Sequence, residues 1–141
     1  MSRYCVDTSA YGHFKLGDSE VVSLLDSAEW IGMSSIVLGE LWMGFIQGRR
    51  PKENEAELRE FLANPAVELL PVDHNVARMY AEIVADLRKA GTPIPTNDIW
   101  IAAVAARAGA TILTYDAHFR SIPRVGSKVL PGASGLWRSI G

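Results

Sequence analysis

Residues 93–110, PIPTNDIWIAAVAARAGA from Pro93 to Ala110, decide how the chain is to be read. Pro93 and Pro95 keep the backbone extended and stop any helix that precedes them. Thr96, Asn97 and Asp98 can open a new helix, and Gly109 can break it. At ~100° per residue, Ile99, Ala102, Ala103 and Ala106 share one side, while Ile101, Ala105 and Ala108 cover much of another. Arg107 is the only charge in the stretch after Asp98. A helix that is apolar nearly all round is a buried helix. Asp98 therefore stands at the mouth of a buried element, where a carboxylate is costly unless something compensates it.

Short apolar runs flank that helix and alternate with helical patterns. Arg3 to Asp7 reads as a buried strand, with Thr8 or Ser9 able to cap the helix that follows. Asp18 can cap a second helix carrying Val21, Val22, Leu24 and Leu25. Trp30 to Met33 reads as a second strand, and Ser34 or Ser35 caps a helix to about Gln47, ended by Gly48. A charged helix from Pro51 to Leu62 follows, then a third strand over Val67–Val72. Asp73 caps a long amphipathic helix that stops at Gly91. Beyond the opening helix lie a fourth strand, Thr111–Tyr115, a helical turn over Asp116–Phe119 and a short fifth strand over Ser127–Leu130. Strands alternating with helices predict an α/β fold, with a mostly parallel sheet covered on both faces.

With 141 residues the chain reads as one domain over 1–130, followed by a tail, 131–141, in which Leu136 and Trp137 can dock. No apolar run approaches the ~18 residues that a membrane crossing needs. The single cysteine, Cys5, excludes an internal disulfide and fits a reducing cytoplasm. Net charge is -2, but if four of the 16 acids share one site, 12 remain against 14 Lys and Arg. Overall charge therefore neither supports nor excludes a nucleic-acid partner.

Four carboxylates fall where parallel α/β folds place ligands, outside the carboxyl ends of strands. Asp7 closes the first strand, Asp116 follows the fourth, Asp98 opens the buried helix, and Glu40 lies on the flank of the Ser35 helix. Singly, each has a plainer use: Asp7 as a helix cap, Asp98 as a partner of the helix dipole, Glu40 on an exposed flank, Asp116 at a turn. Converging within about 5 Å, each ionised pair would repel by roughly 3 kcal/mol at an effective dielectric of 20. No Lys or Arg lies within three residues of Asp7, Glu40 or Asp98. Such a cluster needs protons or a cation, and its hard oxygen donors suit Mg²⁺ or Mn²⁺ rather than zinc.

The segments Val6-Asp7-Thr8-Ser9, Gly39-Glu40-Leu41, Asn97-Asp98 with Ile101-Ala102-Ala103, and Leu113-Thr114-Tyr115-Asp116-Ala117-His118-Phe119 resemble, in order, the PIN-domain pattern. The likeness extends from Val6 to about Val129 and is greatest for the VapC-type toxins of toxin–antitoxin pairs. It departs at Tyr115, where the family commonly has a small polar or basic residue. The resemblance implies a three-layer α/β/α fold with four or five strands. It also implies one or two divalent cations (Mg²⁺ or Mn²⁺) held by Asp7, Glu40, Asp98 and Asp116, with endonuclease cleavage of RNA, tRNA and rRNA among the targets. Thr8, Ser9, Asn97 and Thr114 would support the acids or face phosphate. A cognate antitoxin and a homodimer are the implied partners. Other readings are a PIN fold that binds RNA or protein without cutting, and a phosphatase or phosphoacceptor domain. The second lacks its Asp-Xaa-Asp start or adjacent acidic pair.

The remaining signals are weaker. Arg49, Arg50 and Lys52 form a basic cluster after the Glu40 helix, and Lys15, Arg120 and Arg124 fall near the expected carboxyl side of the sheet. They are candidate RNA contacts or ordinary solvated charges. His13, His74 and His118 show no zinc spacing and read as surface or packing residues; His118, two residues after Asp116, is placed to face the cleft, although the PIN-domain resemblance implies that it packs its turn with Phe119. Trp42 and Ile46 oppose Leu41, so their helix is expected to bury two faces, in the core or under a partner.

Overall fold

The computed structural model of the chain describes residues 2–133. Five parallel strands form one sheet: β1 (Arg3–Val6), β2 (Trp30–Ser34), β3 (Val67–Leu70), β4 (Thr111–Thr114) and β5 (Ser127–Val129), in the order β3-β2-β1-β4-β5. Six helices join or flank them: α1 (Thr8–Lys15), α2 (Ser19–Asp26), α3 (Ser35–Gln47), α4 (Pro51–Ala63), α5 (His74–Ala90) and α6 (Thr96–Ala108). Successive strand residues point to opposite faces. Cys5 and Val6 on β1, like Ile112 and Leu113 on β4, are all buried, so helices cover both faces of the sheet's centre. This is the expected three-layer α/β/α arrangement. The anticipated docking of Leu136 and Trp137 lies outside the described residues.

The strand order carries the functional geometry. From β1 the chain moves outward through β2 to β3, then returns to the other side of β1 for β4 and β5. Adjacent parallel strands whose connections leave in opposite directions open a crevice at their carboxyl ends. Here that crevice lies between β1 and β4, whose register pairs Val6 with Leu113. Asp7 follows β1 directly, and Asp116 is the second residue after β4.

Capping residues set most element boundaries. Asp18, Ser34 and Asp73 accept hydrogen bonds from the first-turn amides of α2, α3 and α5. The first strand stops at Val6 because Asp7, rather than Thr8 or Ser9, caps α1. The third stops at Leu70 because Pro71 has no N–H for the ladder. Helix α6 is as buried as its sequence predicts, with Ile99 and the run Ile101–Ala105 all inaccessible. Gly109, at φ 65°, turns the chain out of α6, and the Ala110 amide bonds back to Ala105. On helix α3 the core alone does not cover both apolar faces. Val37, Leu41 and Phe45 form its one buried face, while Met43 and Ile46 are 52% and 73% exposed.

Candidate functional site

The site is assembled at the β1/β4 crevice from the β1–α1 junction, the interior of α3, the first turn of α6 and the turn after β4. Asp7 is buried, and both of its carboxylate oxygens are occupied. Oδ1 accepts from the Ala10 amide at 2.8 Å and from Ser9 Oγ at 2.7 Å, and Oδ2 accepts from Thr114 Oγ1 at 2.5 Å. The capping and site readings of Asp7 therefore coexist: one oxygen closes α1 while the residue faces β4. Burial pushes its carboxyl up to about 6 against the pull of these donors, and the nearby Asp98 adds to the rise.

Asp98 occupies the first turn of α6, which has no side-chain cap. Its carboxyl is also raised to about 6, first by burial and then by the charges of Asp116 and Glu40. Glu40 is held from two sides: Thr8 Oγ1 donates to Oε1 at 2.5 Å, and Asn97 Nδ2 donates to Oε2 at 3.2 Å. Asp116 caps the 3-10 turn Ala117–Ser121 through the His118 amide, and its own amide donates to Thr114 Oγ1 at 2.9 Å. Thr114 is fully buried and thus links Asp7 to the Asp116 backbone. Hydrogen bonds tie Asp7, Ser9, Thr114 and Asp116 into one set and Glu40, Thr8 and Asn97 into a second, and Asp98 couples to both through the charges of Asp7, Asp116 and Glu40.

His118 takes the cleft-facing one of its two sequence readings. Phe119 does pack the turn and is fully buried, but the His118 ring lies over the acids. Its Nδ1 is 3.1 Å from Asp116 Oδ1 and 3.7 Å from Asp98 Oδ2. Ligand-capable atoms of Asp98, Asp116 and His118 all lie within 4.8 Å of one another. The available signal was local: an acid that caps a short turn through the second residue on brings that residue's side chain near its own carboxylate. Two carboxylates and an imidazole this close, with Asp98 strained by its acidic neighbours, fit a divalent cation.

The basic residues are less concentrated than the sequence suggests. Lys15 pairs with Glu57 of α4 and Arg50 with Glu53, while Arg124 is drawn to Asp86 and Glu82 of α5. Among the described residues Arg49 and Lys52 form no ion pair and are exposed.

Fold and site define a small parallel α/β domain whose switch-point crevice is lined with acids. A family model for the PIN domain matches residues 4–125, and the chain belongs to the PIN-domain family. It is 37% identical to Ribonuclease VapC4 of Mycobacterium tuberculosis over 97 residues, 69% of this chain and 74% of that protein. It is 31% identical to Ribonuclease VapC2 of Rickettsia felis over 127 residues, 86% of this chain and 93% of that one. Among solved structures, VapBC2 from Rickettsia felis bound to a DNA fragment from its promoter superposes with a TM-score of 0.80 at 25% identity. That match covers 91% of this chain and 98% of the other.

Proposed function

We propose that the chain is a divalent-metal-dependent endoribonuclease and the toxin of a toxin–antitoxin pair. The observation that carries this reading is the convergence of Asp7, Glu40, Asp98 and Asp116 at the switch point, two of them raised to about 6, in a chain similar to VapC ribonucleases. A domain used only for binding would have no need of four crowded acids with dedicated hydrogen-bond donors.

In this reading Asp98 and Asp116 would hold Mg²⁺ or Mn²⁺, with Asp7 as a further carboxylate and His118 within reach as a nitrogen donor. A bound divalent ion makes its water more acidic and neutralises charge on a phosphate undergoing displacement. The chain's own residues do the rest. Ser9, Thr114 and the Ala10 amide fix Asp7. Thr8 and Asn97 orient Glu40 so that its carboxylate aligns attacking water or a second ion. No side chain here needs the RNA 2′-OH, so cleavage is expected to leave a 5′-phosphate.

The direct test incubates purified protein with structured RNAs, tRNA and rRNA fragments included, with Mg²⁺, Mn²⁺ or chelator. Discrete cuts that vanish with chelator are expected, whereas binding without cutting would favour the non-catalytic alternative.

Arg49, exposed and without an ion pair among the described residues, is the best placed of the basic cluster to meet RNA phosphates. Arg49→Ala should weaken RNA binding several-fold and lower the slope of log K against log salt by about 0.7, the single-strand value per contact. An unchanged slope would make this cluster, with Arg50 and Lys52, ordinary surface.

VapBC complexes among the similar structures support an antitoxin partner. The exposed Met43 and Ile46 on α3 supply apolar surface for that partner or for a second copy in a homodimer. Light scattering of the isolated chain should give a dimer that Ile46→Glu reduces to monomer, with monomer stability changed by no more than about 0.5 kcal/mol. A monomeric wild type would remove the homodimer. A compact domain carrying these activities fits residues 1–130, acting in the cytoplasm with its RNA targets.

A further inference from the structure

Three segments distant in sequence meet on one pair of rings beside the acidic site. Tyr115 immediately precedes Asp116, and its ring stacks on His13 of α1 with centroids 3.5 Å apart and planes 11° from parallel. Both residues are 5% exposed. His13 is fixed in turn by Asp18 Oδ2, 3.3 Å from Nδ1, and by the Ala133 carbonyl, 2.9 Å from Nε2. The segment supplying that carbonyl leaves β5 across the end of β4, where the Leu130 amide donates to the Thr114 carbonyl at 2.8 Å.

Gly132 seals the stack. Its φ of 143° disfavours any side chain, and a Cβ there would lie 3.0 Å from Tyr115 Cδ2 and 3.1 Å from His13 Cε1. The backbone therefore rests directly against the ring edges. Among the described residues the Tyr115 hydroxyl, buried and within the field of Asp18, makes no hydrogen bond of acceptable geometry. It is the ring, not the hydroxyl, that is gripped.

The main chain of Tyr115 matters because of what hangs from it. Its amide donates to Ser9 Oγ at 3.0 Å, and the same Ser9 hydroxyl donates to Asp7. The next residue is Asp116. A shift of Tyr115 thus moves Asp116 directly and Asp7 through Ser9, and sub-ångström placement of such groups is what a cation site demands.

We propose that the His13–Tyr115 stack, closed by the Gly132–Ala133 backbone, positions Asp116 and Asp7 for cation binding, with Tyr115 and His13 as positioning residues. The inference rests on the reading of the acids as a divalent-cation site. It gives the segment after β5 a part in that site although, among the described residues, it contributes no side chain to it.

The test is Mn²⁺ binding to the full-length chain, followed by electron paramagnetic resonance of the free ion, with melting temperature recorded in parallel. Gly132→Ala, at an exposed position, should raise the Mn²⁺ Kd by about 10-fold or more, the scale on which outer-shell support acts. In cleavage assays at fixed metal its kcat should fall while KM for RNA holds. Tyr115→Ala should behave alike, and Tyr115→Phe, which keeps the stack, should restore wild-type affinity. If Gly132→Ala is folded and binds Mn²⁺ as wild type does, the stack is packing alone and the proposal fails, even should Tyr115→Ala not fold. A wild-type chain that binds no Mn²⁺ overturns the cation reading and this inference together. Wild-type binding with unaffected variants overturns only the latter.

Discussion

Asp7→Asn and Asp98→Asn should each abolish metal-dependent RNA cleavage, and the metal-free Asp7→Asn protein should be more stable than wild type at pH 7. The activity loss should exceed the ~10–100-fold typical of removing an outer-shell partner, because a ligand charge itself disappears. The gain in stability follows from Asp7's surroundings. Burial holds its carboxyl at about 6 when an exposed aspartate titrates near 3.8, so at pH 7 the protein carries an ionised group its interior disfavours. At about 1.4 kcal/mol per pKa unit, the cost is up to about 3 kcal/mol. Asparagine keeps an acceptor for the Ala10 amide and Ser9 hydroxyl and turns its amide towards Thr114 Oγ1, whose hydroxyl can rotate to accept. Calorimetry in chelator should then show a rise of several degrees. Retained cleavage in both variants would sink the site assignment. A melting temperature that falls in Asp7→Asn would mean that its capping geometry, not its charge, dominates.

Local chemistry made much of this architecture legible in advance. Asp18, Ser34 and Asp73 announce helix starts because their side chains satisfy amides two or three residues on. The apolar circumference of α6 required burial wherever the helix lay. The four acids were individually ambiguous but could be read together, because ends of parallel strands converge by topology. What escaped depends on contacts that no local pattern encodes. His13 and Tyr115 become a stack only once α1 and the end of β4 are side by side, and the Gly132 backbone joins them from a third segment. Lys15 looked available to RNA until α4 brought Glu57 against it. The apolar composition of α3 suggested two buried faces, whereas in a single chain only one has a partner, leaving Ile46 the more conspicuous.

The pH dependence of the metal-free protein should run opposite to common acid denaturation. Asp7 and Asp98 are both raised to about 6, whereas unfolded aspartates titrate near 3.8. Between these values the folded state binds more protons than the unfolded state, so stability falls as pH rises. The contribution is fully present below about pH 4 and is lost as pH passes through about 6. Asp7, which is buried, can contribute up to about 3 kcal/mol and the partly exposed Asp98 less, and because they sense one another, the loss should spread across the window rather than fall in two equal steps. Asp86 does not mask the trend. The Arg124 hydrogen bond holds its carboxyl below the usual range, so its own loss comes at more acidic pH. A divalent ion should reverse the deficit, since it binds the ionised native site and stabilises it by roughly 2.7 kcal/mol at a concentration of 100 Kd. Protons compete for the same oxygens, so the Mn²⁺-induced rise in melting temperature should be large at pH 7 and shrink towards pH 5. Melting curves across that range, with chelator and with Mn²⁺, measure both effects. A metal-free melting temperature that climbs from pH 5 to 7, with no response to Mn²⁺ at pH 7, would show that the acids are neither mutually strained nor built to hold a cation.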